Sequence, residues 1–333
     1  MATSGRRIAT PARVWEVADD PQTPVRSVAI RTLRKRLEAV WSELAAACHD
    51  CRDPERIHQL RVATRRTLAA FDAFHDLVPV QSRECFQKWL RRIRRAAGNA
   101  RDLDVLAERL ARQELIDGND CRGRPKQMAV DAESTPAGLQ ARRRLIAMLS
   151  RHRVSSHQSI HDVHERLLGA DWPGHVEGLV DALSKGRKRQ TFGDYARRRF
   201  KPLMERFFAR ADRRLRNADE IHRLRIEGKK LRYSLEIFAT AFPGRVLSKC
   251  EKALESLQES LGEFTDHSAA ADRLKRLSKQ DGASSERLTL MALRKQEASH
   301  AARARKTFAK WWNPTRRRSL RRRFERTLRR RTA

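Results

Sequence analysis

Residues 57–74, IHQLRVATRRTLAAFDAF, and residues 221–238, IHRLRIEGKKLRYSLEIF, are two versions of one pattern. His58 and His222 are 164 positions apart, and that register continues without a gap. Pro79 maps to Pro243, Lys88 to Lys252, Leu90 to Leu254, Gly98 to Gly262, Asp102 to Asp266, Ala107 to Ala271, and Arg109-Leu110 to Arg273-Leu274. Coincidence does not hold one register over that length, so the chain reads as an internal duplication. Both segments have helical periodicity. At about 100° per residue, Ile57, Leu60, Leu68, Phe71 and Phe74 share one arc, as do Ile221, Leu224, Leu231, Leu235 and Phe238. Such an arc is the face a helix turns toward a core.

A cationic stripe runs beside each arc. In the first copy it is His58, Arg61 and Arg65, at i, i+3 and i+7. In the second it is His222, Arg225, Lys229 and Arg232, at i, i+3, i+7 and i+10. Successive members rise about 4.5–6 Å along the axis, a pitch that suits a flexible chain of phosphates better than one small ligand. A charge run is more often a solvated face. Two features oppose that here: both copies set the stripe directly beside the apolar arc, and no carboxylate interleaves on it. The two histidines read equally well as ligand contacts or as structural groups inside a bundle. Arg66 and Lys230 project to another side, toward Val62 and Ile226.

The rest of the chain is also helical. Apolar residues recur from Val25 onward (Ile30, Leu33, Leu37, Val40, Leu44), Asp53-Pro54 marks a helix start, and no period-2 strand is evident. The expected division is a loose arm over 1–24, a first bundle over 25–168 with a turn-rich loop near 117–138, a linker over 169–190, a second bundle over 191–312, and an Arg-rich tail over 313–333. Within the first bundle, Gly98-Asn99 reads as the end of a third helix and Asp102 as the opening of a fourth. One helix is expected over about 139–168.

The 333 residues carry 73 Lys plus Arg against 41 Asp plus Glu, a net charge of +32. A compact body with that charge calls for a polyanionic partner: nucleic acid, an anionic membrane or inorganic polyphosphate. The hydrophobic fraction of 40% is enough for a core and argues against global disorder. No run of about 18 apolar residues is present, so no transmembrane helix is expected, and no secretory signal is recognisable at the N-terminus. Five scattered cysteines fit a reducing cytosol better than a disulfide framework. Aromatics make up only 6% of residues, which weakens a stacking-based single-strand reading.

IHQLRVATRR, IHRLRIEGKKLRY and GNARDLDVL (98–106) together resemble the signature segments of the CHAD family, the conserved histidine α-helical domain. The resemblance covers about residues 25–312. It implies an all-α fold of two pseudo-symmetric four-helix bundles around a shared basic groove, binding of inorganic polyphosphate, and association with polyphosphate granules in the cytoplasm. By the same resemblance, His58, Arg61, Arg65, Arg66, His222, Arg225, Lys229, Lys230 and Arg232 match the family's basic positions. Leu68 stands where the second copy has Arg232, and Thr265-Asp266-His267-Ser268 replaces Arg101-Asp102-Leu103-Asp104, so the halves are expected to bind unequally. The E-x-E-x-K motif of the triphosphatase domain fused to some members is absent.

Further cations lie on the opening helix of each unit, Arg31, Arg34 and Lys35, then Arg197, Arg198 and Arg199; of these Arg34, Lys35 and Arg198 are expected at the groove. Ten arginines stand against one glutamate between Arg316 and Arg331, with Leu320, Phe324 and Leu328 at helical spacing. That tail reads either as a basic amphipathic helix or as a disordered arm. Cys48 and Cys51 lack the second ligand pair a structural zinc needs. His157, His161 and His164 read as solvent-exposed histidines rather than a metal site. The expected function is non-catalytic polyphosphate binding with no cofactor. The alternative is nucleic-acid binding through the same surface and the tail. A phosphohydrolase, which needs metal-binding carboxylates or an activated nucleophile, is the least supported.

Overall fold

A computed structural model describes residues 20–50, 53–119, 136–186, 190–213, 215, 217–242, 244–279 and 287–328. The residues expected as a loop near 117–138, the first 19 residues of the expected arm and the last five of the tail fall largely or wholly outside these. The described residues form helices and no strand: α1 (Val25–His49), α2 (Pro54–Ala73), α3 (Val80–Asn119), α4 (Pro136–Ser155), α5 (Gln158–Gly169), α6 (Trp172–Ser184), α7 (Phe192–Ala211), α8 (Ala218–Ile237), α9 (Gly244–Leu277), α10 (Arg287–Trp311) and α11 (Pro314–Leu328). The all-α expectation holds.

One order of pairing runs through each half. α1 packs on α2, α2 on α3 and α3 on α4; then α7 on α8, α8 on α9 and α9 on α10. Three helices add to these series. α5 and α6 lie on α1, α5 also on α3, and α11 lies on α9 and α7. The halves meet where α2 packs on α8. One continuous apolar core runs through both, and a smaller cluster joins α3 and α4 to α9 and α10 (Leu103, Leu145, Leu274, Leu290 and neighbours).

The contact between α2 and α8 follows the 164-residue register. Phe74 meets its counterpart Phe238 edge to face at 6.1 Å. Arg66 pairs with Glu236 at 3.1 Å, while Lys230 acts by charge on Asp72, the counterparts of that pair. Arg36 sits under this contact at 2% exposure, donating to the Arg66 carbonyl at 2.6 Å and facing Glu236 at 3.7 Å. Burial, against the pull of Glu236, lowers its pKa to about 10.

Three expectations fail for local reasons. The break at Gly98-Asn99 does not exist: α3 runs through it as a single 40-residue helix, and α9 likewise runs through Gly262. A Cβ at Gly98 would lie 3.3 Å from Nη1 of Arg61, and one at Gly262 would lie 3.4 Å from Nη2 of Arg225. Neither glycine ends a helix: Gly98 makes room for a close guanidinium, and at Gly262 a Cβ would meet Arg225 at ordinary contact distance. The expected linker 169–190 contains α6, whose Pro173 sits in its first turn, where proline starts a helix as readily as it breaks one. Asp171, at φ 52°, caps it by accepting from the Gly174 N–H. Trp172 is buried among Trp41, Phe86 and Trp89, at 5.9, 5.3 and 5.7 Å between ring centroids. The helix expected over 139–168 is two, α4 and α5, parted at Ser156-His157.

Candidate functional site

α2 and α8 lie against each other with their basic stripes turned to a common space, and the middle of α3 and the C-terminal third of α9 form its other walls. The result is a cavity of about 430 Å³. His58, Arg61 and Arg65 enter it from α2, Arg225 and Lys229 from α8, Arg101 from α3, and Arg273 and Arg276 from α9. Cations from both halves thus share one trough.

The crowding has electrostatic consequences. Burial lowers the pKa of Arg61, with Arg65, Arg94 and Arg101 adding to it and Asp102 opposing. Burial likewise lowers Arg225, against Asp266. Lys229 is pushed down to about 7, first by burial and then by Arg225 and Arg65. Burial and Arg101 hold His58 below the usual histidine range. Guanidinium groups stay protonated regardless, so in them the crowding is stored as repulsion that a bound anion relieves. The Nε atoms of Arg65, Arg225 and Arg273 are buried and lack a hydrogen-bond acceptor in the structure.

The trough also contains carboxylates, which the stripes alone did not reveal. Asp266 faces Arg225 at 3.7 Å, and Asp102 faces Arg273 at 3.6 Å; Asp272 completes the lining. Asp102 and Asp266 are counterparts in the 164-residue register, so the duplication already marked them. What it could not show is that α3 and α9 continue unbroken past their glycines and carry these positions to the stripes. Beside Asp102, Asp104 pairs with Arg153 of α4.

Several expected site residues lie elsewhere. Arg66 and Lys230 belong to the α2–α8 contact, where Lys230 also meets Glu227 at 3.3 Å. His222 is exposed near the start of α8 and does not line the trough, because the walls of α3 and α9 close on the middle of that helix. Arg232 lies over the Tyr233 ring at 5.1 Å, outside the lining, though near enough to lower Lys229. Arg34 pairs with Glu177 of α6, and Arg198 pairs with Asp76 at 3.0 Å over the Tyr195 ring. Lys35 is half-buried on α1 and is not part of the lining. No residue of α1 or α7, the first helix of each unit, is among those lining the trough, so these cations miss it.

Of the histidines expected in solvent, His157 is buried and His164 stacks on Trp41 at 5.1 Å. Cys48 is half-buried and Cys51 lies outside the described residues. Among the described residues, no three metal-ligating side chains cluster, and no helix is long and apolar enough to cross a membrane.

The sequence profile of the CHAD domain matches residues 31–275. The crystal structure of the CHAD domain from the plant Ricinus communis is similar, with a TM-score of 0.68 at 20% identity, covering 95% of this chain and 97% of that one. PptA from Streptomyces chartreusis gives a TM-score of 0.54 at 16% identity, covering 87% of this chain and 99% of that one. At these identities the likeness establishes the fold. A search of curated proteins returns no match.

Proposed function

The chain belongs to the CHAD domain family, and from that premise we propose that its trough binds inorganic polyphosphate without chemically altering it. The observation that carries the reading is the meeting of Arg61 and Arg65 with Arg225 and Lys229 in one cavity walled by further arginines. Guanidinium forks match phosphate oxygens in pairs, and a trough lined from two sides suits a linear polymer.

The carboxylates have a part in this. Asp266 and Asp102 partly offset the charge of Arg225 and Arg273. An arriving phosphate would supply acceptors to Nε atoms of Arg65, Arg225 and Arg273 that have none in the protein. This use of the carboxylates as counter-charges supports a binding role over hydrolysis. Incubation with polyphosphate and Mg²⁺ is expected to release no orthophosphate, and steady release would contradict the non-catalytic reading.

Among the described residues no Phe, Tyr or Trp lines the trough. A nucleic acid would find phosphate contacts there and no stacking platform. The charge-reversal pair Arg61→Glu with Arg225→Glu is expected to weaken polyphosphate binding at least a hundredfold at physiological salt, read by isothermal titration. Unchanged affinity would remove the trough from the account. At equal salt, polyphosphate is expected to displace duplex DNA at far lower phosphate concentration than the reverse; the opposite order favours nucleic acid. Binding to a long polymer also supports association with polyphosphate granules in the cytoplasm. A fluorescent fusion is expected to sit on granules and the double variant to disperse; a double variant that still decorates them would contradict this.

A further inference from the structure

Helix α11 lies beyond the residues matched by the CHAD profile, and its arginines divide by what they face. Arg317 and Arg321 turn inward, each 3.4 Å from Asp212, with Arg321 over the Phe208 ring at 5.1 Å. Leu320 and Phe324 are buried in the core, Phe324 within 6.0 Å of both Phe200 and Phe208 by ring centroids. The apolar stripe of α11 is thus taken up by docking and is not available to a bilayer. Arg316, Arg318, Arg322 and Arg326 face the other way. With Lys249 and Lys252 of α9 they line two adjoining cavities of about 600 and 830 Å³.

Among the described residues no carboxylate lines either cavity, unlike the trough with its three aspartates. Arg316 lies 4.3 Å from the centre of the Trp311 ring, which also stacks on Trp312 at 5.7 Å. The guanidinium is held in place and the indole is engaged by protein groups, so the groove offers ordered cations and no free platform for a base. Groove and trough share α9 but use different faces. Lys249 to Ser256 serve the groove and Asp266 to Arg276 the trough, so their nearest edges are ten residues, about 15 Å, apart along the axis.

We propose that the α9–α11 groove is a second binding site for linear polyphosphate, distinct from the trough, so that one chain of this protein grips the polymer at two places. The choice of polymer rests on the reading of the trough; the existence of a second anion site does not. A long chain held at both sites gains avidity that a short one lacks.

The test uses the full chain and a short oligophosphate in isothermal titration. The wild type is expected to bind two equivalents. The variant Lys249→Glu/Arg318→Glu/Arg322→Glu changes exposed side chains and is expected to bind one, at the trough's affinity, with an unchanged circular dichroism spectrum. Arg61→Glu/Arg225→Glu is expected to bind one, and the combined variant none. For long polyphosphate the groove variant is expected to lose at least tenfold in affinity. One equivalent in the wild type, or two in the groove variant, overturns the second site. If the trough variant keeps both equivalents while the groove variant loses one, the trough reading fails and the groove stands. Tighter binding of single-stranded DNA, or of vesicles rich in anionic phospholipid, than of oligophosphate to the trough variant at equal salt overturns the assignment of the ligand.

Discussion

Lys229 is where the trough's charge is most strained. Its pKa in the folded chain is about 7, against 10.5 for an ordinary lysine. Between those values the unfolded chain holds a proton that the folded chain lacks, so this residue makes stability rise with pH across that window. Its penalty is present in full below about pH 7. A phosphate beside Lys229 favours the charged form. Binding near pH 8 is therefore expected to take up protons, and affinity to fall as pH rises above 7. Titration in two buffers of different ionisation enthalpy measures the uptake directly. Lys229→Met is expected to abolish it, to weaken polyphosphate binding, and to raise the melting temperature of the free protein, by about 1–2 °C per kcal/mol relieved for 333 residues. A wild type with no proton uptake would contradict this electrostatic picture. At this scale the sequence was legible where helical spacing decides: five of the nine signature cations and histidines line the trough. It was not legible for Arg66 and Lys230, because their partners Glu236 and Asp72 come from the opposite copy. Nor was it for Arg34 and Arg198, which are drawn to surface carboxylates.

The elements turn on Gly98, which reads as a helix end, and its counterpart Gly262: both are helix interiors. Glycine in a helix interior is about 1 kcal/mol less favourable than alanine; at Gly98 it admits the Arg61 guanidinium against α3, and at Gly262 Arg225 approaches α9 only to ordinary contact distance. Gly262→Ala puts a methyl group at ordinary contact distance and is expected to stabilise the protein by up to about 1 kcal/mol with binding retained. Gly262→Leu is expected to keep the helix but push Arg225 aside and weaken polyphosphate binding. Equal affinity in the two variants would show that the close approach does not matter. The docking of α11 rests on its apolar stripe, and Phe324→Ala is expected to cost about 3–5 kcal/mol in chemical denaturation. A loss under 1 kcal/mol would mean that this helix is loosely held. The sequence placed Leu320, Phe324 and Leu328 on one face but left open whether that face had a partner. The partner is formed by α7 and α9, which sequence spacing within α11 cannot reveal. α6 was missed because Pro173 and its neighbouring glycines are ambiguous between a linker and a capped helix start.

Over the whole molecule, the net charge of +32 is shaped rather than spread. Part of it is gathered in the trough with aspartates interposed, and part lines the α9–α11 groove with none among the described residues. On the polyphosphate reading, release of counterions is expected to dominate binding, and the logarithm of affinity to fall with the logarithm of salt concentration at a slope of about −5 to −6 if all seven of the trough's lysine and arginine side chains meet phosphate. A slope near zero would mean that these cations do not meet phosphate. The duplication made the meeting of the two stripes legible in advance, since equivalent faces of two copies tend to pack together. It did not reveal the walls, because Arg101, Asp102, Asp266 and Arg273 reach the trough only on helices that continue past glycine. The most direct measurement is a crystal structure of the full chain with a short oligophosphate. Phosphate oxygens within hydrogen-bonding distance of both Arg61 and Arg225 are the predicted result; an oligophosphate bound elsewhere, with the trough empty, would contradict the account.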